Sequence, residues 1–390
     1  MNVPQLLPAI LLLVACGGES GPRGQSEAPL GGASTLAGTG SGGTASSTTT
    51  NPNAGTPATG GSAGSGGGAG APFGGVTSGG SAGAGGGGGV ADPGARPDQR
   101  TVVYLPDYRG SLASWQTKID YSRISYVNLS FADVNEAGDI SYKDAGLDAF
   151  VAAAHQRGVK VCIAIGGANT IDNGGVYATI LKDDQRDVFV GKLVAYAVDH
   201  QLDCVDVDLE GNGVNQYYEA FVTTLATKLH EKQKELTSAV SSWFGDKITD
   251  KAIAAFDFVN VMAYDLHNPG GSSQPVQSSS VAESQAEVDY WVNRGLAKSK
   301  ALFGVPFYGY SWQSNKSTAL TYAEILARDA SAATQDQVTL NGSITHLNSR
   351  TTIVEKAKLA KQYGGIMIWE LGQDAPGDAS LLKAIADATP

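Results

Sequence analysis

Residues Asp203 to Glu210 read Asp-Cys-Val-Asp-Val-Asp-Leu-Glu, and few folds admit that alternation. In a β-strand the side chains at i, i+2 and i+4 share one face. Asp206, Asp208 and Glu210 therefore stand in one row, opposite Val205, Val207 and Leu209. An exposed edge strand could carry solvated acids, but the apolar row asks for a second buried face, as in a parallel sheet covered by helices. Three carboxylates aimed into an interior repel one another and are costly to desolvate. A strand carries them inward for a purpose.

The rest of the chain supplies the fold around that strand. Apolar, β-branched runs occur at Val102–Pro106, Tyr126–Ala132, Lys160–Ile165, Cys204–Glu210, Thr237–Trp243, Phe258–Tyr264, Ala301–Phe307 and Gly365–Glu370. Amphipathic stretches lie between them. Leu147, Phe150, Val151 and Ala154 follow helical spacing, as do Phe221, Leu225 and Leu229, and Gly158, Gly295 and Gly364 sit where helices should stop. Eight strands alternating with helices predict an α/β fold, a (β/α)8 TIM barrel, over residues 98–390. The acids then fall at the C-terminal end of strand four, the face on which such barrels do chemistry. Net charge is −11, nearly all of it on the barrel segment, which argues against nucleic acid as a partner. A neutral polymer fits. The five histidines, His155, His200, His230, His267 and His346, show no metal-ligand spacing, and neither metal nor cofactor is expected.

The acidic run resembles the D-x-x-D-x-D-x-E signature of glycoside hydrolase family 18, the chitinases and their relatives. Ala164-Ile165-Gly166-Gly167 resembles that family's S-x-G-G motif, with alanine in place of serine. Met262-Ala263-Tyr264-Asp265 is similar to its M-x-Y-D motif, Gly304-Val305-Pro306-Phe307-Tyr308-Gly309 to its G-x-P-x-Y-G strand, and Met367-Ile368-Trp369-Glu370 to its last, tryptophan-bearing strand. All five stand in the family's order between about Arg100 and Pro390.

The resemblance implies a retaining, endo-acting chitinase that cleaves β-1,4-linked N-acetylglucosamine with the substrate's own 2-acetamido group as nucleophile. Glu210 would be the general acid and then the base. Asp208 would orient the acetamido group, Asp206 would share a proton with Asp208, and Tyr264 would hold the acetamido oxygen. Trp369 would floor the sugar subsite, with Asp265, Met262, Gly167, Phe131 and Tyr308 around it. Trp115, Trp243 and Trp312 lie near strand ends and serve either further subsites or packing. Non-proline cis peptides are implied at Ser130–Phe131, Glu210–Gly211 and Trp369–Glu370. Ala164 removes a hydroxyl that would support Asp206. The short stretch between Trp312 and Trp369 implies that the α+β insertion of many family members is absent or truncated, leaving a shallow cleft suited to internal cleavage. Two other readings are an endo-β-N-acetylglucosaminidase acting on N-glycan cores or peptidoglycan, and an inactive glycan-binding lectin. The intact acids and Tyr264 weigh against the lectin.

The N-terminal segment points to export. Leu6 to Ala15 is an apolar run of signal-peptide length, too short to span a bilayer. Residues 1–16 end in Leu13-Val14-Ala15-Cys16, which looks like a bacterial lipobox with Cys16 as the lipidated residue. The alternative is an ordinary signal peptide. Gly17 in place of aspartate leans toward the outer membrane. Residues 17–97, rich in Gly, Ser, Thr and Ala, are expected to form a disordered tether, because they cannot bury enough apolar surface to offset chain entropy. The protein is expected to be a monomer. Cys162 and Cys204 should face each other inside the barrel on strands three and four, and are expected to be two buried small hydrophobes rather than a disulfide, which adjacent parallel strands do not easily accommodate.

Overall fold

Each run predicted as a strand is one in the computed structural model, which describes residues 99–389. The apolar N-terminal run, Cys16 and the Gly-rich segment lie outside the described residues. The barrel strands are β1 (Arg100–Pro106), β2 (Tyr126–Ser130), β3 (Lys160–Gly167), β4 (Cys204–Leu209), β5 (Glu235–Val240), β6 (Phe258–Val261), β7 (Ala301–Pro306) and β8 (Gly365–Trp369). All pair in parallel with their chain neighbours, and β8 closes on β1. Each is followed by a helix: α1 (Leu112–Lys118), α2 (Leu147–His155), α3 (Arg186–Asp199), α4 (Tyr218–His230), α5 (Asp250–Ala255), α6 (Val281–Asn293), α7 (Arg350–Ala360) and α8 (Leu381–Ala388). This is the expected TIM barrel.

The helices start where the sequence supplies an acceptor. Ser111, Thr249, Ser280, Ser349 and Ser380 each accept a hydrogen bond from the backbone N–H three residues on, at the heads of α1, α5, α6, α7 and α8. Leu147, Phe150, Val151 and Ala154 on α2, like Phe221, Leu225 and Leu229 on α4, are buried against the barrel together with Val205, Val207 and Leu209. Cys162, Ala164 and Cys204 belong to a second apolar cluster, inside the barrel. The alternation on β4 therefore sorts its side chains as its spacing required.

Two matching clamps secure the end of the barrel away from the acids. His155 at the end of α2 pairs with Asp203 at 2.8 Å, and Asp203 also accepts the N–H of Val161. His230 at the end of α4 pairs with Asp257 at 2.8 Å, and Asp257 accepts the N–H of Leu236. In each case an aspartate just before one strand ties the previous strand to a helix.

One expectation about the barrel interior needs correction. Cys162 and Cys204 form a disulfide rather than two separate thiols. They are direct register partners on β3 and β4, both pointing inward, and their Cα atoms lie 4.5 Å apart, within the span a disulfide bridges. They sit one layer below the paired Ala164 and Asp206. The bridge closes a 42-residue separation, so replacing both cysteines with alanine is expected to lower stability by about 4 kcal/mol on the chain-entropy account. Denaturant unfolding of the parent and the double variant checks this; equal midpoints would contradict it.

The stretch after β7 takes the truncated form of the two that its length implied. It folds into a four-stranded antiparallel sheet with strand order Lys316–Thr321, Tyr308–Gln313, Ser343–Leu347, Gln337–Leu340, and carries the helix Tyr322–Arg328. The α+β insertion is thus present in compact form. Tight hairpins such as Ser314-Asn315, both at positive φ, let so few residues build it.

Candidate active site

The acid row on β4 rises from a buried base to a partly open mouth. Asp206 is fully buried and Asp208 nearly so, at 0 % and 4 % exposure, while Glu210, just past the strand end, is partly exposed. Asp206 is held by three donors from three strands. Tyr104 on β1 gives its hydroxyl at 2.6 Å, Thr237 on β5 at 2.5 Å and the Asn260 amide on β6 at 3.1 Å. Asn260 also donates to the Tyr104 hydroxyl at 3.2 Å. Position 164 contributes nothing here, so Asp206 is supported without the hydroxyl that alanine lacks.

Asp208 contrasts with Asp206. Its Oδ1 is buried without a partner among the described residues, and burial, then the charges of Glu210 and Asp206, push its carboxyl well above the usual range. Burial also raises Asp206, but its three donors oppose that rise. Hydrogen bonds to the ionised form favour the carboxylate at Asp206, and burial and neighbouring charge favour the proton on Asp208. Glu210 is raised to about 7 by burial and then by Asp265. Its backbone N–H is anchored on the Thr170 hydroxyl at 2.8 Å. Near neutral pH this row holds a protonated Glu210 at the open end, the requirement for donating a proton to a leaving oxygen.

Close backbone packing fixes the neighbouring strand end. Gly166 has φ 104°, and a Cβ there would fall 2.3 Å from the Asp208 carbonyl oxygen. A Cβ at Gly167, φ 82°, would fall 2.8 Å from the Phe131 ring. Only glycine lets β3 approach both the acid strand and the aromatic wall.

The remaining predicted residues converge on the same end of the barrel. Tyr264, which follows β6, is buried, and among the described residues its hydroxyl meets only the Met367 thioether at 3.9 Å, a weak acceptor. That O–H is available to a stronger acceptor. Burial and then Asp208 hold it protonated. Asp265, at φ 56°, accepts from the Tyr308 hydroxyl at 2.8 Å and from Tyr310 at 3.2 Å; burial raises its carboxyl to about 6. Trp369 is half-buried, edge-on to Tyr104 at 5.3 Å and tilted against Phe131 at 6.2 Å. Met262 packs on the edge of both apolar clusters. The Ser130–Phe131 and Trp369–Glu370 peptides are cis. Glu210–Gly211 is trans, contrary to the sequence expectation; Gly211 makes that turn through its own φ of 53°.

Of the uncertain tryptophans, Trp312 is buried and bonded to the Ser272 carbonyl, and Trp115 to the Arg109 carbonyl. Each indole N–H is satisfied within the fold. Trp243, 37 % exposed, is open to solvent beside Gly211. Sequence reading missed Tyr104, Thr237, Asn260, Thr170 and Tyr310. A signal for two of them was present: Tyr104 and Asn260 are polar residues within the otherwise apolar runs of β1 and β6, at inward positions.

Comparison with known proteins agrees with this geometry. The model of the glycosyl hydrolases family 18 matches residues 100–374. Among solved structures, the family 18 chitinase ChiB from the chitin utilization locus of Flavobacterium johnsoniae is 31 % identical, with a TM-score of 0.69, covering 75 % of this chain and 94 % of that one. The class V chitinase of Arabidopsis thaliana is 24 % identical over 70 % of this chain and 86 % of its own length. A chitinase-like effector of Moniliophthora roreri is 27 % identical over 52 % of this chain, which spans only 57 % of that relative.

Proposed function

The chain belongs to the glycosyl hydrolases of family 18, and we propose that it is a retaining chitinase, acting on β-1,4-linked N-acetylglucosamine through the substrate's acetamido group. The observation that carries this reading is the graded acid row: a buried, triply bonded Asp206, a buried Asp208 with its carboxyl pushed up by burial and neighbouring charge, and a Glu210 raised to about 7. Glu210 gives its proton to the glycosidic oxygen as the bond to the anomeric carbon breaks. The acetamido oxygen, held by the Tyr264 hydroxyl, attacks that carbon from the opposite face and forms an oxazolinium ion. Asp208 accepts the acetamido N–H as positive charge grows on it, passing its own proton toward Asp206. Glu210, now a carboxylate, takes a proton from water, which opens the ring and restores the original configuration. Trp369 offers the sugar an aromatic floor.

The test is incubation of the protein with chitin pentamer and hexamer, an N-glycan core and peptidoglycan, all of which carry 2-acetamido sugars. Shorter N-acetylglucosamine oligomers from the first pair are expected. Cleavage of the other two alone would replace the substrate, and binding without cleavage of any would favour the lectin reading. Internal cutting was expected from an absent or truncated insertion; with a compact sheet there, product lengths from the hexamer decide between internal and end-wise attack.

The acid's environment sets a pH limb. Activity needs protonated Glu210, so kcat should fall as pH rises through about 7. Asp265 is the charge that raises Glu210 after burial. Asp265→Asn should therefore move the basic limb to lower pH. A limb that stays in place would mean that another group controls it.

The N-terminal reading extends the proposal to location: an exported enzyme lipid-anchored at Cys16, held off the outer membrane by its Gly-rich tether. It rests on Leu13-Val14-Ala15-Cys16. Cys16→Ala should abolish labelled-palmitate incorporation and release the protein from membranes.

A further inference from the structure

Lys356 on α7 has no part in the chemistry above, yet it is fully buried, and no other lysine or arginine among the described residues is. Burying a cation costs several kcal/mol unless it is well satisfied, so its partners are informative. Nζ lies 2.7 Å from the Ser279 carbonyl, 2.6 Å from the Ser279 hydroxyl, 2.9 Å from the Ser284 hydroxyl and 2.7 Å from Asn348 Oδ1. None is a carboxylate. Both serine hydroxyls donate onward to one acceptor, the carbonyl of Ala263, at 3.0 and 2.7 Å. Their protons are thereby committed, and Lys356 must be the donor to both oxygens.

Those contacts lead to the reaction centre from two sides. The Ala263 carbonyl belongs to the peptide whose nitrogen is that of Tyr264, immediately before Asp265. Asn348 follows Leu347, and Leu347 pairs with Gly309, which lies between Tyr308 and Tyr310, the two donors to Asp265. Asn348 also donates to the Ser279 carbonyl at 2.8 Å, and Gln277 to the Leu347 carbonyl at 2.9 Å. One buried amine thus joins the β6 end, which carries Tyr264 and Asp265, to the inserted sheet that carries their partners.

We propose that Lys356 is a positioning residue: its ammonium fixes the Tyr264–Asp265 segment against the inserted sheet and so places the Tyr264 hydroxyl for the substrate. This rests on the function proposed above. Burial lowers the Lys356 ammonium to about 7, against the pull of Asp336 and Glu283, so assays belong near pH 6, where it is charged.

The test is a double-mutant cycle on kcat with N-acetylglucosamine hexamer. Lys356→Met is expected to lower kcat at least tenfold with little change in KM. In that background Tyr264→Phe should cost several-fold less than in the parent, because a displaced hydroxyl has less to lose. Ser284→Ala, which cuts one arm of the network, serves the same cycle if the methionine variant does not fold, and should show the same shortfall. A purely structural role for Lys356 gives independent losses that multiply, and that result would overturn the proposal. A parent enzyme without turnover on any chitin oligomer would overturn the proposed function and this role with it. A parent with turnover and multiplying losses would overturn the role alone.

Discussion

Glu210→Gln is expected to lower kcat on chitin oligomers by about 10²–10⁴-fold while leaving oligosaccharide affinity nearly intact. The substitution keeps the shape of the side chain and removes the proton that must reach the leaving oxygen. It also carries a stability signature. The folded protein holds this carboxyl at about 7, above its ordinary 4.5. The native state therefore binds more protons than the unfolded chain between those values, and stability is lost as pH rises through about 7. Glutamine has no charge to bury, so at pH 8 the variant should melt at or above the parent's temperature. Steady-state kinetics, calorimetric binding of a chitin tetramer and thermal unfolding at pH 5 and 8 check the three parts. Equal losses of binding and turnover, or a large fall in melting temperature at pH 8, would contradict the role assigned to Glu210.

Asp208→Asn should cost about 10²–10³-fold in kcat, the usual penalty for removing a group aimed at charge that appears only in the transition state. KM should change little, because the ground-state acetamido group is neutral. The basic pH limb gives the sharper discrimination. The charge of Glu210 raises Asp208, whereas burial and Asp265 raise Glu210, so Asp208 is expected to stay uncharged as Glu210 ionises. The asparagine variant should therefore keep its limb near 7, whereas Asp265→Asn shifts it. A limb displaced as far by Asp208→Asn as by Asp265→Asn would show that Asp208 is ionised in the resting enzyme. Loss of a protonated Asp208 would undo the proton passage to Asp206.

Periodicity made most of this architecture legible. Eight apolar runs at barrel spacing, with Val205, Val207 and Leu209 facing out and the acids facing in, required strands buried on both sides, and the structure has them so. The site residues drawn from the five motifs also meet at one barrel end. What stayed hidden depends on distance between strands rather than order along one. The disulfide follows from register, which places Cys162 opposite Cys204, and no spacing within either strand reveals that. The three donors to Asp206 come from β1, β5 and β6, each a single polar residue with no motif around it. The inserted sheet was legible only as a truncation because its short strands, joined by tight turns, read as leftover length beside a helix. Tyr308 and Tyr310 lie on its first strand, and their hydroxyls converge on Asp265 only once the sheet folds back.

The most direct test of the central claim is the configuration of the first product. Proton NMR of N-acetylglucosamine hexamer with the enzyme, followed over the opening minutes before mutarotation, reads the newly made reducing end. Attack by the acetamido group followed by water predicts β-anomer accumulating first and relaxing later to the equilibrium mixture. Fresh α-anomer would mean that water attacks directly, and would contradict the roles given to Asp208, Tyr264 and the acetamido group together.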